Sequence, residues 1–240
     1  MAGYSSRLLD RTQVAEGTMA FHFAKPSGFD FKAGQFAIWT LPDPPETDAE
    51  GNRRTFTIAS APYEDQLMFV TRMRDTAFKR SLKSVAMGAE ISIAGPMGSF
   101  TLHRDSVRPA VLLAGGIGIT PFFSIVKQAS HDGLPQSLHL FYSNHRPEDT
   151  PFLDILQALE KTNQSFHLIA TMTDLPPSQS RWAGETGFIN KEMLARYVRD
   201  LQAPIYYIAG PPAMVASMQE MLVTSGIDED SLRMEGFAGY

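Results

Sequence analysis

The chain contains no cysteine. That single absence removes disulfides, thiolate-held iron–sulfur clusters, cysteine-type zinc sites and catalytic thiols together. Charge of either sign is modest: 21 Lys and Arg against 26 Asp and Glu leave a formal net charge of −5. Even the densest basic stretch, residues 72–83, dilutes its five Lys/Arg with apolar residues, so no nucleic-acid surface is expected. The six histidines are scattered, with no i, i+4 pair beside a carboxylate, and no metal site is expected. His139 and His167 fall in strand-like runs and read as structural. Long apolar runs are also missing. The most apolar stretch, residues 110–126, is broken by glycines and Pro121 and is too short to span a bilayer. The first eleven residues have no signal-peptide apolar core. No membrane span and a cytoplasmic location are therefore the expectations.

What is present is the composition of a globular protein, 43% hydrophobic and 20% charged over 240 residues, enough for one large or two ordinary domains. The first hundred residues hold short β-branched and aromatic runs (FHFAK, QFAIWTL, RTFTIAS, QLMFVTRM, AEISIAG) bounded by turn residues. This spacing predicts an antiparallel β-barrel or sandwich, with a surface loop over residues 42–52 and one short helix over 78–85. From Arg108 the rhythm changes. Apolar strands PAVLLAG, SLHLFYS, FHLIATM and IYYIAG alternate with helical patterns near 120–130, 151–161, 190–200 and 212–225, which predicts a parallel α/β sheet. The expected division is a β-barrel domain over 1–104 and an α/β domain over 105–240.

One strand–turn–helix carries a chemical hint. The strand VLLA runs into Gly115, Gly116, Ile117, Gly118, Ile119, Thr120 and Pro121 and then into a helix. Glycines let a backbone approach a pyrophosphate, and free N–H groups at a helix start favour an anion. Pro121 suits a first helical turn, where its missing N–H is not needed. A merely tight βα turn is the alternative. The acid expected about 20 residues on in a standard NAD Rossmann half is missing; the second strand ends in Ser143, Asn144, His145 and Arg146.

Read together, the two halves resemble the ferredoxin–NADP reductase superfamily. Arg54-Thr55-Phe56-Thr57 fits its Arg-x-Tyr/Phe-Ser/Thr pattern. Then follow, in the family's order, Gly95-Pro96-Met97-Gly98-Ser99-Phe100, the GGIGITP turn, Ala209-Gly210-Pro211-Pro212-Ala213-Met214, and Glu235-Gly236-Phe237. The resemblance implies FAD on the barrel and NADH or NADPH on the α/β domain, with hydride passing from nicotinamide to flavin N5. Arg54 would meet the flavin diphosphate, where a forked cation binds two oxygens. Phe56 would lie against the isoalloxazine. Thr57 would hydrogen-bond near N5, with Thr55 beside it. Val70, Thr71, Arg72 and Met73, with Lys79, Arg80 and Ser81, would line the ribityl chain and diphosphate. Phe237 is expected over the other flavin face, with Tyr240 as a competing contact; the plain reading of residues 234–240 is a final strand and tail. Arg54 and Phe56 share strand parity, so both point to one face, where an arginine needs an anion.

For the dinucleotide, Gly115, Gly116, Gly118, Ile119, Thr120 and Pro121 would hold the pyrophosphate. Gly210, Pro211, Pro212 and Met214 would sit beside the nicotinamide. The family often has a cysteine where this chain has Ala209, so the nicotinamide would be positioned by backbone and flavin. Asp174 would repel a 2′-phosphate, with Arg146 and Arg181 as the available cations, which leans towards NADH. With no cysteine, the electron acceptor must be separate: a ferredoxin, flavodoxin, haem protein, oxygenase component or free flavin. A diaphorase or flavin reductase using small acceptors, and a non-catalytic flavin- or nucleotide-binding subunit, are the competing readings. Oligomeric state is left open.

Overall fold

The computed structural model describes residues 3–175 and 182–237. Two six-stranded sheets follow one another along the chain. The first consists of β1 (Gly3–Ala15), β2 (Thr18–Ala24), β3 (Phe36–Thr40), β4 (Arg53–Thr57), β5 (Gln66–Arg72) and β6 (Glu90–Met97). All of its pairings are antiparallel, in the order β4-β3-β6-β1-β2-β5. The sheet curls until its two edges meet. Just past β4, the Ala59 N–H donates to the Met68 carbonyl of β5 at 2.7 Å, and the Phe56 ring stacks on Phe69 with centroids 4.3 Å apart. This is the antiparallel barrel that the spacing of short strands predicts. Its inside is filled by Phe21, Phe23, Trp39, Phe69 and Ile93, with Phe78 and Leu82 of α1 (Ala77–Ser84) packed against them.

The longest strand, β1, is not among those read from the sequence. Only Ser6 and Leu8 of its thirteen residues are buried, so it lacks the apolar alternation that marks a half-buried strand. It is held instead by backbone ladders to β2 on one side and β6 on the other.

The second sheet is parallel, in the order β10-β9-β8-β7-β11-β12. Its strands are β7 (Ala110–Gly115), β8 (Leu138–Asn144), β9 (Phe166–Met172), β10 (Glu185–Thr186), β11 (Ile205–Gly210) and β12 (Leu232–Gly236). Every residue of β7 and β11 is buried, as expected for central strands covered on both faces. Helices α2 (Ile119–His131) and α3 (Leu153–Thr162) bury Phe122, Phe123 and Leu156 on one face. Helices α4 (Lys191–Tyr197) and α5 (Pro212–Thr224) bury Leu194 and Leu222 on the other.

The core under α2 does not stop at the second sheet. It continues into Ala20, Ala59, Met68 and Val70 of the barrel, so the two sheets share one apolar cluster. The Ser124 hydroxyl of α2 donates to the Ser60 carbonyl at 2.7 Å across this junction. Among the described residues no helix is long and apolar enough to cross a membrane, and no group of three or more His, Asp or Glu is placed to hold a metal ion.

Candidate functional site

Strand order reverses between β7 and β11, and in open α/β sheets ligands bind at the carboxyl ends of strands at such a switch point. Here those ends are Gly115–Gly116 and Gly210–Pro211. Gly116 has φ +53, a left-handed conformation that favours glycine. A Cβ on Gly118 would sit 2.2 Å from the Ala209 carbonyl oxygen, so this glycine permits the close packing of turn on strand. A Cβ on Gly115 would collide with the Met214 sulfur at 2.2 Å. The turn is one step of 3-10 helix, Gly116–Gly118, before α2 begins, and it uses the Ile119 N–H internally.

A cavity of about 410 Å³ opens at this point, lined by Gly115, Gly116, Asn144, Pro211 and Met214, with Arg72 reaching in from the barrel. The structure thus gathers Gly115, Gly116, Pro211, Met214 and Arg72 of the expected residues. Gly210 is buried just behind them. Gly118, Ile119, Thr120 and Pro121 do not line the cavity; they are buried beneath it, and the Thr120 hydroxyl donates to the Ile117 carbonyl. Pro212 is exposed at the start of α5. Arg146 is not brought in: Glu16 holds it at 2.8 Å and Asp149 at 2.9 Å. Arg181 lies outside the described residues. A larger groove of about 1030 Å³ runs along Thr12, His22, Tyr63, Lys127 and Phe152, and among the described residues none of the expected site residues lines it.

On the barrel, Arg54 and Phe56 do share a face, and both meet Phe78: the guanidinium lies 5.0 Å from its ring centre and the Phe56 ring 6.0 Å. The anion that Arg54 requires comes from its own chain. Asp48 accepts from it at 2.9 Å and Glu50 pairs with it at 3.0 Å, both from the loop before β4. Lys79 joins the cluster, and burial first, then the nearby charges of Arg74 and Arg54, holds its pKa below the usual lysine range. Arg54, Arg74 and Lys79 thus put positive charge beside the carboxylates of Asp48 and Glu50. Arg80 turns away to Glu46 and Asp75, and the buried Ser81 hydroxyl donates to the Glu46 carbonyl. Val70 is core, the Thr71 hydroxyl donates to the Arg72 carbonyl, and Met73 packs against the barrel interior. Thr55 is exposed.

Thr57 differs from its neighbours. It is 4% exposed, and its hydroxyl oxygen has no hydrogen-bond partner among the described residues. Two residues on, Ala59 shares an apolar cluster with Ile117 of the glycine turn, and Phe237 packs against that cluster. The Phe237 N–H donates to the Gly210 carbonyl at 3.0 Å, which ties the end of β12 to the switch point. Just before it, burial pushes the Glu235 carboxyl up to about 7, with one oxygen buried and unpartnered. Tyr240 lies outside the described residues. Asp48, Glu50 and Asn144 do not stand out in the sequence; what marks Asn144 is an orphaned amide at a strand end, and that needs the fold to be seen.

Residues 112–220 match the family model for the oxidoreductase NAD-binding domain. The reductase component of propane 2-monooxygenase from Rhodococcus jostii is 27% identical over 89% of this chain and 57% of its own length. The toluate 1,2-dioxygenase electron transfer component of Pseudomonas putida is 27% identical over 99% of this chain and 68% of its own. The chain thus spans less than two thirds of the propane monooxygenase reductases. A cytochrome P450 reductase of Amycolatopsis superposes with a TM-score of 0.83 at 21% identity, covering 98% of this chain and 70% of that one. A Neisseria gonorrhoeae ferredoxin NADP+ reductase, solved with bound FAD and NADP, gives 0.80 at 22% identity over 98% of both chains. Residues 112–220 thus match the oxidoreductase NAD-binding domain, and the chain as a whole shares the two-domain fold of these reductase structures.

Proposed function

We propose that this chain is an NAD(P)H-dependent flavoprotein reductase that passes electrons to a separate acceptor, foremost an oxygenase component. Thr57 carries the reading. A buried hydroxyl without a partner is costly unless a bound group supplies one, and this one ends the strand that carries Arg54. The cluster of Arg54, Arg74 and Lys79 suits a dinucleotide's diphosphate. When bound, FAD would supply the hydride acceptor and the division of that electron pair into single electrons. The chain's own part is positioning. Thr57 offers a hydroxyl to the flavin ring, Arg54 and Lys79 hold the diphosphate, and Gly115, Gly116, Pro211 and Met214 shape the nicotinamide cavity. Phe237 closes the crevice and excludes water. No acid or base is needed for hydride transfer itself.

NADH is the proposed donor. An exposed carboxylate, Asp174, follows β9 and would repel the 2′-phosphate of NADPH. Relatives named as a monooxygenase reductase component and a dioxygenase electron transfer component support an oxygenase component as acceptor. Purified protein should be yellow and bleach anaerobically with NADH, more slowly with NADPH. A colourless protein that does not take up added FAD would overturn the reading; flavin that neither donor bleaches would favour a binding-only subunit.

A further inference from the structure

We infer that Asn144 is a recognition residue for the nicotinamide riboside half of the donor, an inference that rests on the reductase reading. Asn144 is the last residue of β8 and lines the switch-point cavity, yet it is only 5% exposed. Neither its amide nitrogen nor its amide oxygen has a hydrogen-bond partner within 3.5 Å among the described residues. The Tyr142 hydroxyl donates to the Pro151 carbonyl at 3.3 Å, and its oxygen is the neighbour that can accept from the amide N–H group, which leaves the amide oxygen without a donor. The backbone of Asn144 is committed elsewhere: its carbonyl accepts from the Thr173 N–H at 2.9 Å, which locks the strand end in place.

A primary amide presents donors and an acceptor side by side, and burying the acceptor unmet is costly. The group that fills this cavity must therefore offer a donor to the amide oxygen. A pyrophosphate offers acceptors only. A carboxamide offers both, and so does a ribose diol; in a nicotinamide dinucleotide the two occur next to each other. The rest of the lining agrees, since Pro211 and Met214 give apolar area for a flat ring while Ser143 and Thr173 add hydroxyls. Arg72 lies at the glycine turn, where its guanidinium comes within 3.7 Å of the position a Gly116 Cβ would take, and so supplies the cation for the adjoining phosphate. Asn144 thus acts as a positioning residue that sets the register of the nicotinamide against the flavin.

The experiment compares wild type with Asn144→Ala and Asn144→Asp as holoenzymes, using NADH and the reduced 3-acetylpyridine analogue, which lacks the amide N–H group. FAD content and melting temperature report folding, and stopped-flow flavin reduction separates the dissociation constant from the limiting rate. Asn144→Ala is expected to weaken NADH binding by about tenfold to a hundredfold with FAD content unchanged. Asn144→Asp keeps the shape and one acceptor but loses the donor, and should fall between. Should the carboxamide be the partner, Asn144→Ala erases the preference of wild type for NADH over the analogue; should it be the ribose, both donors weaken alike. Unchanged NADH affinity in Asn144→Ala, with wild type reduced normally, overturns the inference and leaves the reductase reading standing. A wild type that NADH neither binds nor reduces overturns both. Where Asn144→Ala fails to fold, Asn144→Leu, which keeps the volume but has neither donor nor acceptor, decides: wild-type affinity and analogue preference in that variant also overturn the inference.

Discussion

One guanidinium nitrogen of Arg54 donates to both carboxylate oxygens of Asp48, at 2.9 and 3.1 Å. The loop that precedes β4 thereby places its own anion where a cofactor's diphosphate is proposed to bind. Two variants test that competition. Arg54→Ala should lower FAD retention at least tenfold, since a charged, forked donor is lost. Asp48→Asn should slow FAD loss a few-fold, because it removes the internal competitor and keeps the size. Dialysis followed by flavin absorbance reads both; equal retention in all three proteins would remove Arg54 from the site.

Gly118 is a steric demand rather than a conformational one. Its φ of −59 is open to any residue, but an added Cβ would stand 2.2 Å from a backbone oxygen. Gly118→Ala should cost ~2–3 kcal/mol and lower the melting temperature by roughly 5–10 °C, whether or not a nucleotide is present. Calorimetry checks this. A neutral substitution would mean that α2 slides easily on β11.

The Phe56–Phe69 stack joins the two edges of the curled sheet at an interplanar angle of 6°. Phe56→Ala should cost ~2–4 kcal/mol of stability through lost burial and stacking, measured by urea denaturation of the apoprotein. Phe56→Leu keeps most of the burial and should recover about half of that. Should flavin binding suffer equally in both variants, the ring serves the cofactor as well as the barrel.

Glu235 gives a pH signature. Burial raises its folded pKa from 4.5 to about 7, so between those values the folded state holds a proton that the unfolded state has released. Its contribution to stability is present below the unfolded pKa and is lost as pH rises through about 7. Stability should therefore fall across that window by at most a few kcal/mol, because each tenfold difference in proton affinity between the two states is worth about 1.4 kcal/mol. Glu235→Gln should flatten the slope and be the more stable protein at pH 8. Parallel melting curves from pH 5 to 8 decide it, and identical slopes would count against a buried neutral carboxyl.

The parallel half was legible because strands buried on both faces read as continuous apolar runs, as in VLLA and IYYIAG, with helical patterns between them. The barrel strands carrying FHFAK and QLMFVTRM were legible through their aromatic content. β1 was not, since its stability comes from ladders on both sides rather than from its own side chains. The short β10 was missed because a pair of bridged residues, Glu185 and Thr186, carries no periodic signal.

At the site, the local chain determined what each residue type was suited for. Glycines in a strand-to-helix turn permit close backbone approach, and the parity of Arg54 and Phe56 put a cation and a ring on one face. The need of that arginine for an anion followed from the cost of an unpaired charge in a poorly hydrated place. Which anion answers it was decided only by the tertiary structure, when the loop before β4 folded back over the strand and delivered Asp48. In the same way, nothing in the run Ser143-Asn144-His145 marks its middle residue. Asn144 stands out only once parallel strands bury it at a switch point with its amide unmet. Type and periodicity are local properties of a chain, whereas hydrogen-bond satisfaction depends on which distant segments arrive, and only the packed fold determines that.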